Sequence, residues 1–474
     1  MRSRAYLRLL VLAAVLGVPI AAAAFGFLKL TALLQQWAFT DLPSALGFAS
    51  APTWWPLGPL AVAGLLVGLA VRYLPGRGGE SPADGFVAGR PAPAPAELLG
   101  ITLAALASVG LGAVVGPEAP LIALGGGLAY LAVRLAGRDL PPRAAGVVAA
   151  TGSFAAISTL LGSPLAGAFL LLEASAIGGA LATAVLLPGL LGAGIGALVF
   201  TGLDSLTGYG TFSLAVPDLP PAGTPTVAEF GWAIVVGLAA GPLSVGLRRL
   251  AVAVRDRAVI HPVSATVLLG LVIAGLAIGY AAATGHADSD VLFSGQSALP
   301  TLLTHSSTYT VGALVLLVLC KGLAYSAALA GFRGGPTFPA MFLGAAGGIA
   351  LSHLPGLAVI PGAAMGIGAM TAAMLRLPMT AVLLATLFLG TDGFPVMPLT
   401  IVAAVVAYLS ANWLTAPAGP PATAPQPAGP AEHAAGPDVP APRTPASGGA
   451  ERARESGRAP EGTQRDPPGR SSPG

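Results

Sequence analysis

The chain of 474 residues is 54% hydrophobic and only 9% charged, with a formal net charge of +3. Soluble globular proteins carry about 25% charged residues, so these few charges could not cover the surface of a water-soluble fold. The basic residues are spread over short loops instead of forming a patch with aromatic residues, which argues against a nucleic-acid-binding protein.

Apolar runs close to the length of about 20 residues that a bilayer-spanning helix needs recur along the chain. Backbone polar groups in lipid must be satisfied within the segment, so we expect these runs to be helices. The first run is too long, and is followed by too many others, to be a cleaved signal peptide. Clear examples are residues 9–28, 227–240, 267–283 and 311–330.

Arginines gather in three segments between these runs, which the positive-inside rule places in the cytoplasm. The segments are marked by Arg2, Arg4 and Arg8, by Arg134, Arg138 and Arg143, and by Arg248, Arg249, Arg255 and Arg257.

Composition divides the chain into two parts. Residues 1–415 are expected to form one membrane domain of roughly 12 to 17 helical segments, because Gly and Pro repeatedly interrupt the apolar runs, as in transporters with broken helices. Residues 416–474 include 14 prolines among mostly Ala, Gly, Ser and charged residues. Such a segment buries too little apolar surface to fold, so we expect a disordered cytoplasmic tail.

An internal repeat is the most informative pattern. Residues 116–125 and 335–344 both follow GPxxPxxxLG. Some 40 residues after each copy comes another proline-centred apolar segment, at 162–167 and at 376–380. The repeat predicts two halves, at about residues 60–205 and 228–414.

The repeated pattern is typical of helices that begin inside the membrane. A helix start presents unpaired N–H groups and the positive end of the helix dipole, which together attract an anion. Pro117 and Pro336 suit the first helical turn, and Gly116 and Gly335 allow a close backbone approach. Paired interrupted helices indicate the binding site of a transporter.

Glu118 stands within the first copy of this pattern. It is one of only two acids set within apolar helical sequence, the other being Glu173, and an intramembrane carboxylate is a functional hypothesis by default. The N–H groups that would hold an anion would also stabilise Glu118. We therefore predict that Glu118 competes with the anion as a gate.

These residues resemble the ClC family of chloride channels and chloride/proton exchangers over residues of about 5 to 415. Residues 116–120 look like the family's GxEGP motif, and residues 335–339 look like a variant of GxFxP. Residues 151–173 are similar to its long Ala-rich segment ending in PLAGxxFxxE, the most specific match.

The resemblance implies an all-α polytopic membrane protein of two inverted-topology repeats with broken, tilted helices. It implies a homodimer with a separate pore in each subunit, and it carries the gating glutamate to Glu118. The anion path would also pass the loop at residues 78–82, where the family has GSGIP. The anion-binding residues predicted on this basis are Gly79, Ser81, Gly116, Pro117, Ala119, Gly335, Thr337 and Phe338.

The anion site departs from the family pattern. The family's central serine falls on Gly79, and Ser81 comes two places late. Pro117 and Pro336 stand where other members lend backbone N–H groups, which proline lacks; the hydroxyl of Thr337 is a candidate replacement. No tyrosine near Leu414 matches the family's pore tyrosine.

The proton route departs as well. Exchangers of the family have a second acid directly after the glutamate of PLAGxxFxxE, and here that position is Ala174. Glu173 is a candidate proton relay, although one helical residue turns it by about 100°. The alternative for Glu173 is a carboxylate bonded to neighbouring helices.

The function predicted is transmembrane passage of chloride or a similar small anion, by a ClC-type, voltage-gated chloride channel with a glutamate gate. Alternatives are a chloride/proton antiporter, a transporter of fluoride or another anion, and a cation-coupled solute transporter, which would need more intramembrane acids. An enzyme is disfavoured, because no nucleophile motif surrounds His353 with Ser326 or Ser352. The sequence predicts no cofactor and no metal site, since Cys320 is the only cysteine and no HExxH-type spacing occurs.

Overall fold

A computed structural model describes residues 4–85, 92–137, 142–175, 179–208, 216 and 219–415. Regular secondary structure in these residues is helical, and eight helices are long and apolar enough to cross a bilayer. The prediction of a polytopic all-α membrane protein is confirmed. The predicted tail lies outside the described residues, as do Arg2 and Arg138.

The number of α-helices in the described residues, sixteen, lies within the range expected from the sequence. Their bounds are α1 (Arg4–Gln36), α2 (Leu42–Ala45), α3 (Leu57–Tyr73), α4 (Pro95–Gly110), α5 (Glu118–Leu135), α6 (Pro142–Leu161), α7 (Pro164–Ser175), α8 (Gly179–Thr207), α9 (Val227–Ala258), α10 (Pro262–Thr284), α11 (Ala298–Thr304), α12 (Val311–Gly331), α13 (Thr337–Leu351), α14 (Val359–Leu375), α15 (Pro378–Phe388) and α16 (Gly393–Thr415).

Proline positions explain several helix starts. Proline has no N–H to donate and its fixed φ suits the first turn, and α7 and α15 both begin at prolines, Pro164 and Pro378. The helices α5 and α13 begin one residue after Pro117 and Pro336. Both copies of the repeat are therefore followed by the same order of helix starts.

Small residues let corresponding helix pairs pack closely. A Cβ atom at Gly125 of α5 would strike the backbone of Gly152 in α6, and one at Gly344 of α13 would strike the backbone of Gly366 in α14. Close backbone contact between small residues is a main source of helix association in membranes. Each helix that begins with the repeated motif is thus fixed against the helix that follows it.

A buried lysine organises the segment between α10 and α11. Lys321 of α12 is fully buried, and its Nζ donates to the carbonyl oxygens of Asp290 at 2.8 Å and of Val291 and Leu292 at 3.1 Å. Its ammonium also lies 4.3 Å from the ring centre of Phe342 in α13. These carbonyl dipoles and the ring compensate the buried charge.

The carboxylate of Asp290 belongs to the same cluster. Its Oδ2 accepts a hydrogen bond from the Tyr309 hydroxyl at 3.0 Å. Burial raises the pKa of Asp290, and the Tyr309 bond and the charge of Lys321 oppose that rise. The cluster ties the segment before α11 to α12.

Candidate functional site

The starts of α5 and α13 meet through their preceding glycines. The Gly116 N–H donates to the Gly335 carbonyl at 2.8 Å, and the Gly335 N–H donates to the Gly116 carbonyl at 2.5 Å. This pair of bonds forms a short antiparallel bridge between residues 219 positions apart. The two copies of the repeat therefore converge on one site.

Glu118, the first residue of α5, reaches across this junction. Its side chain is completely buried, and its Oε1 accepts a hydrogen bond from the backbone N–H of Phe338 in α13 at 3.0 Å. Its Oε2 is buried and has no hydrogen-bond partner among the described residues. A buried polar atom without a partner carries a desolvation cost of about 1–3 kcal/mol. One oxygen of this carboxylate is thus bonded to the start of α13, and the other makes no hydrogen bond.

Glycine is required on both sides of this carboxylate. A Cβ atom at Gly116 or at Gly335 would collide with the carboxylate of Glu118. The absence of side chains at these two glycines therefore leaves the space that the Glu118 carboxylate occupies. Ala119 follows Glu118 in the first turn of α5 and is partly buried.

The hydroxyl of Thr337 is the second open polar group. Thr337 is buried, and its Oγ1 has no hydrogen-bond partner among the described residues. Pro117 and Pro336 occupy the residue before each helix and contribute no N–H. The start of α13 therefore offers the Thr337 hydroxyl in addition to its backbone N–H groups.

Tyr325 is a member of the site that sequence reasoning did not identify. It is fully buried in α12, and its hydroxyl donates to the Pro336 carbonyl at 2.7 Å. The one available signal was a tyrosine within the apolar run at residues 311–330. Tyr325 fixes the turn from which α13 begins.

The loop at residues 78–82 packs against the end of α12. Ser81 Oγ donates to the Leu329 carbonyl at 3.4 Å, and the Gly79 carbonyl accepts a bond from Arg333 Nε at 3.1 Å. Gly79 has a φ of 93°, which glycine adopts without strain. The loop is therefore adjacent to the segment that leads into α13, and Arg333 is a second residue that sequence reasoning missed.

Glu173 lies at a different helix start. Its Oε1 accepts a bond from the Met379 N–H at 3.0 Å, and its Oε2 accepts bonds from the N–H and the hydroxyl of Thr380 at 2.7 and 2.6 Å. Both oxygens are satisfied by the first turn of α15. The carboxylate of α7 thus binds a neighbouring helix at its dipole's positive end.

The residues considered for a catalytic site, Ser326, Ser352 and His353, are bonded to the backbone of nearby residues in their own segments. Ser326 donates to the Gly322 carbonyl and Ser352 donates to the Ile349 carbonyl. His353 Nδ1 lies 3.0 Å from the Ile349 carbonyl oxygen. In the portion of the chain that the structure covers, no cluster of three His, Cys, Asp or Glu side chains could hold a metal ion.

Comparison with known proteins agrees with this geometry. The sequence profile of the voltage-gated chloride channel family matches residues 63–412. YfeO of Escherichia coli (strain K12 / DH10B), which is named for ion transport, is 29% identical over 359 residues, covering 75% of this chain and 81% of YfeO.

Solved structures share the fold at low sequence identity. A slow cyanobacterial Cl−/H+ antiporter superposes with a TM-score of 0.69 at 21% identity, over 86% of this chain and 95% of that one. A CLC-type fluoride/proton antiporter superposes with a TM-score of 0.64 at 20% identity, over 86% and 96% of the two chains. From the matched residues, the chain belongs to the voltage-gated chloride channel family and is an integral, multi-pass membrane protein that serves ion transport.

Proposed function

We propose that this protein passes chloride or a similar small anion across the membrane along a path gated by Glu118. The observation that carries the proposal is the buried Glu118 carboxylate, which lies between two helix starts with one oxygen unpaired. Helix starts bind anions, so Glu118 occupies a place that suits the transported ion. The two halves predicted from the repeat would each supply one of these starts.

The gate would act by competition. Protonation of Glu118, or its displacement by an anion, frees the Phe338 N–H, which now donates to Oε1. The Thr337 hydroxyl lies close enough to interact with the same carboxylate and has no other partner among the described residues. Together they offer an entering anion two donors, at the positive end of the α13 dipole.

We further propose that anion movement is weakly coupled to protons or uncoupled, as in a channel. Ala174 stands where family exchangers have their inner acid. Both oxygens of Glu173 are bonded to α15, which leaves it poorly placed to carry protons. A chloride/proton antiporter is the second candidate, because the two solved relatives described above are proton-coupled antiporters by title.

The experiment is anion efflux from proteoliposomes, with proton movement recorded in parallel. Chloride and fluoride are tested separately, with protein-free liposomes as the control. Chloride efflux without proton movement supports the proposal, whereas a chloride gradient that drives sustained uphill proton movement at fixed stoichiometry would make the protein an antiporter. Fluoride efflux without chloride efflux would identify fluoride as the transported anion. Flux that requires an added solute would favour a cation-coupled transporter.

The assembly we propose is a homodimer with one path in each subunit, as the family resemblance implies. We propose no enzymatic activity. Light scattering of the detergent-purified protein tests the assembly, and a monomer that retains full flux would contradict it.

A further inference from the structure

Arg333 is a basic residue fixed beside the candidate site. It lies between α12 and α13, two positions before Gly335 of the bridge. Its Nε donates to the Gly79 carbonyl and its Nη1 to the Phe332 carbonyl, both at 3.1 Å. Its backbone N–H donates to Ser108 Oγ of α4 at 3.0 Å. Arg333 is therefore bonded both to α4 and to the loop at residues 78–82.

Part of this guanidinium remains open. A guanidinium carries five N–H donors, and Nη2 donates to no residue that the structure describes. The acid whose charge acts on Arg333 is Asp84, and Asp84 is ion-paired with Arg255. Arg333 therefore presents a partly buried positive charge with unused donors.

The prolines reduce the number of backbone N–H groups that the site offers an anion. Pro117 and Pro336 have no N–H, and the hydroxyl of Ser81 already donates to a carbonyl. A buried ion without compensating charge is costly, and hydrogen bonds from a charged donor are about twice as strong as neutral ones. A fixed cation beside the path would supply what the backbone lacks.

We propose that Arg333 binds the transported small anion directly, through its open Nη2 donors, on the cytoplasmic side of Glu118. The side follows from Arg248 and Arg255, which belong to a predicted cytoplasmic segment and contact Asp84, close to the same loop. Arg333 is thus a binding and specificity residue of the path, in addition to holding the Gly79 carbonyl. This inference rests on the proposed anion transport.

The test uses two variants of the full chain that separate charge from structure. Arg333→Gln keeps an N–H donor for the Gly79 carbonyl and removes the charge, whereas Arg333→Lys keeps the charge. The matched control is Arg249→Gln, because Arg249 also donates to a backbone carbonyl, that of Leu414, at 2.7 Å. Chloride and fluoride binding to detergent-purified protein is measured by calorimetry, and efflux is measured from proteoliposomes.

The expected results differ among the variants. Arg333→Gln should weaken anion binding at least about tenfold, as loss of one charge-assisted hydrogen bond implies. Arg333→Lys should stay within about threefold of wild type, since a single charge-assisted contact is retained. Arg249→Gln should bind as wild type does.

Wild-type binding by a folded Arg333→Gln variant, or equal weakening in the Lys and Gln variants, would overturn the inference and leave Arg333 a structural residue. If Arg333→Gln does not fold, Arg333→Met, which is also neutral and has a similar apolar stem, takes its place: weakened binding in a folded protein supports the inference and wild-type binding defeats it. Absence of anion flux in wild type would instead defeat the proposed function itself, so the two failures are distinguishable.

Discussion

Two intramembrane acids, Glu118 and Glu173, both accept hydrogen bonds from the start of another helix. They differ in how many of their carboxylate oxygens are bonded. Each accepts backbone N–H bonds from the start of another helix, Glu118 of α5 from α13 and Glu173 of α7 from α15. Glu173 has bonds to both oxygens and is partly exposed, whereas Glu118 is completely buried with one oxygen unpaired. The comparison shows that a carboxylate at a helix start can be bonded through both oxygens, as in Glu173, or through one, as in Glu118.

The free-energy difference explains which acid can serve as a gate. Displacing Glu173 would break three hydrogen bonds, each worth about 0.5–1.5 kcal/mol or more. Displacing Glu118 breaks the bond to Phe338 and removes a buried oxygen that lacks a well-formed hydrogen bond. Experiments on both acids can therefore test the comparison directly.

The largest expected effect is that of Glu118→Gln on pH dependence. Protonation should free the site, so wild-type efflux should rise by at least about tenfold as pH falls through the titration of Glu118. The Gln variant mimics the neutral acid and should change less than about twofold over that range. Efflux at several pH values measures this, with Glu173→Gln as the matched control. A Gln variant that keeps the wild-type pH profile would remove Glu118 from the gate.

Replacing Glu173 by alanine should lower stability rather than selectivity. The variant loses the bonds to Met379 and Thr380, which should cost about 2 kcal/mol or more. Thermal unfolding in detergent should show a lower midpoint, while the chloride-to-fluoride efflux ratio stays unchanged. Unaltered unfolding together with altered proton movement would instead make Glu173 the proton relay.

Thr337→Val tests the open hydroxyl next to the Glu118 contact. Valine has a similar shape without the donor, so anion binding should weaken about fivefold, the effect of one neutral hydrogen bond of about 1 kcal/mol. Stability should fall by no more than about 1 kcal/mol, because the one group that the hydroxyl contacts is the Glu118 carboxylate. Thr337→Ser retains the donor and is the control in calorimetric titration. Equal binding by the Val and Ser variants would exclude the hydroxyl.

Removal of the tail should have the smallest effect, since its composition gives it no packed core. Truncation should follow Thr415, because Thr415 Oγ1 accepts a bond from Arg376 Nη2 at 2.8 Å. Efflux should remain within about twofold of the full chain. A folded truncation variant without flux would assign the tail a role in transport.

Much of the Glu118 region could be predicted from the sequence. The Gly-Pro pattern marks helix starts through local backbone chemistry, and its duplication indicated that both starts serve one place. Gly116 and Gly335 indeed form the bridge. Position alone also singled out Glu118 and Glu173 as the acids in apolar helices.

The partners of other polar residues could not be predicted. Arg333, Tyr325 and Lys321 all donate to backbone carbonyls, and a carbonyl has no sequence signature. The contact of Arg333 with Gly79 joins residues 254 positions apart. The start of α15 was recognised as part of the repeat, but its capping by Glu173 depends on how α7 and α15 pack.

The reciprocal bonds between Gly116 and Gly335 also bear on how fast ions can cross. Many transporters expose their site alternately by rocking one repeat against the other, a collective motion on the microsecond to millisecond scale. Here such rocking would break the two backbone hydrogen bonds between Gly116 and Gly335 at the site itself. We expect the halves to stay together while the Glu118 side chain rotates, a movement much faster than domain rotation. Throughput would then be limited by the residence time of the ion and not by a conformational cycle.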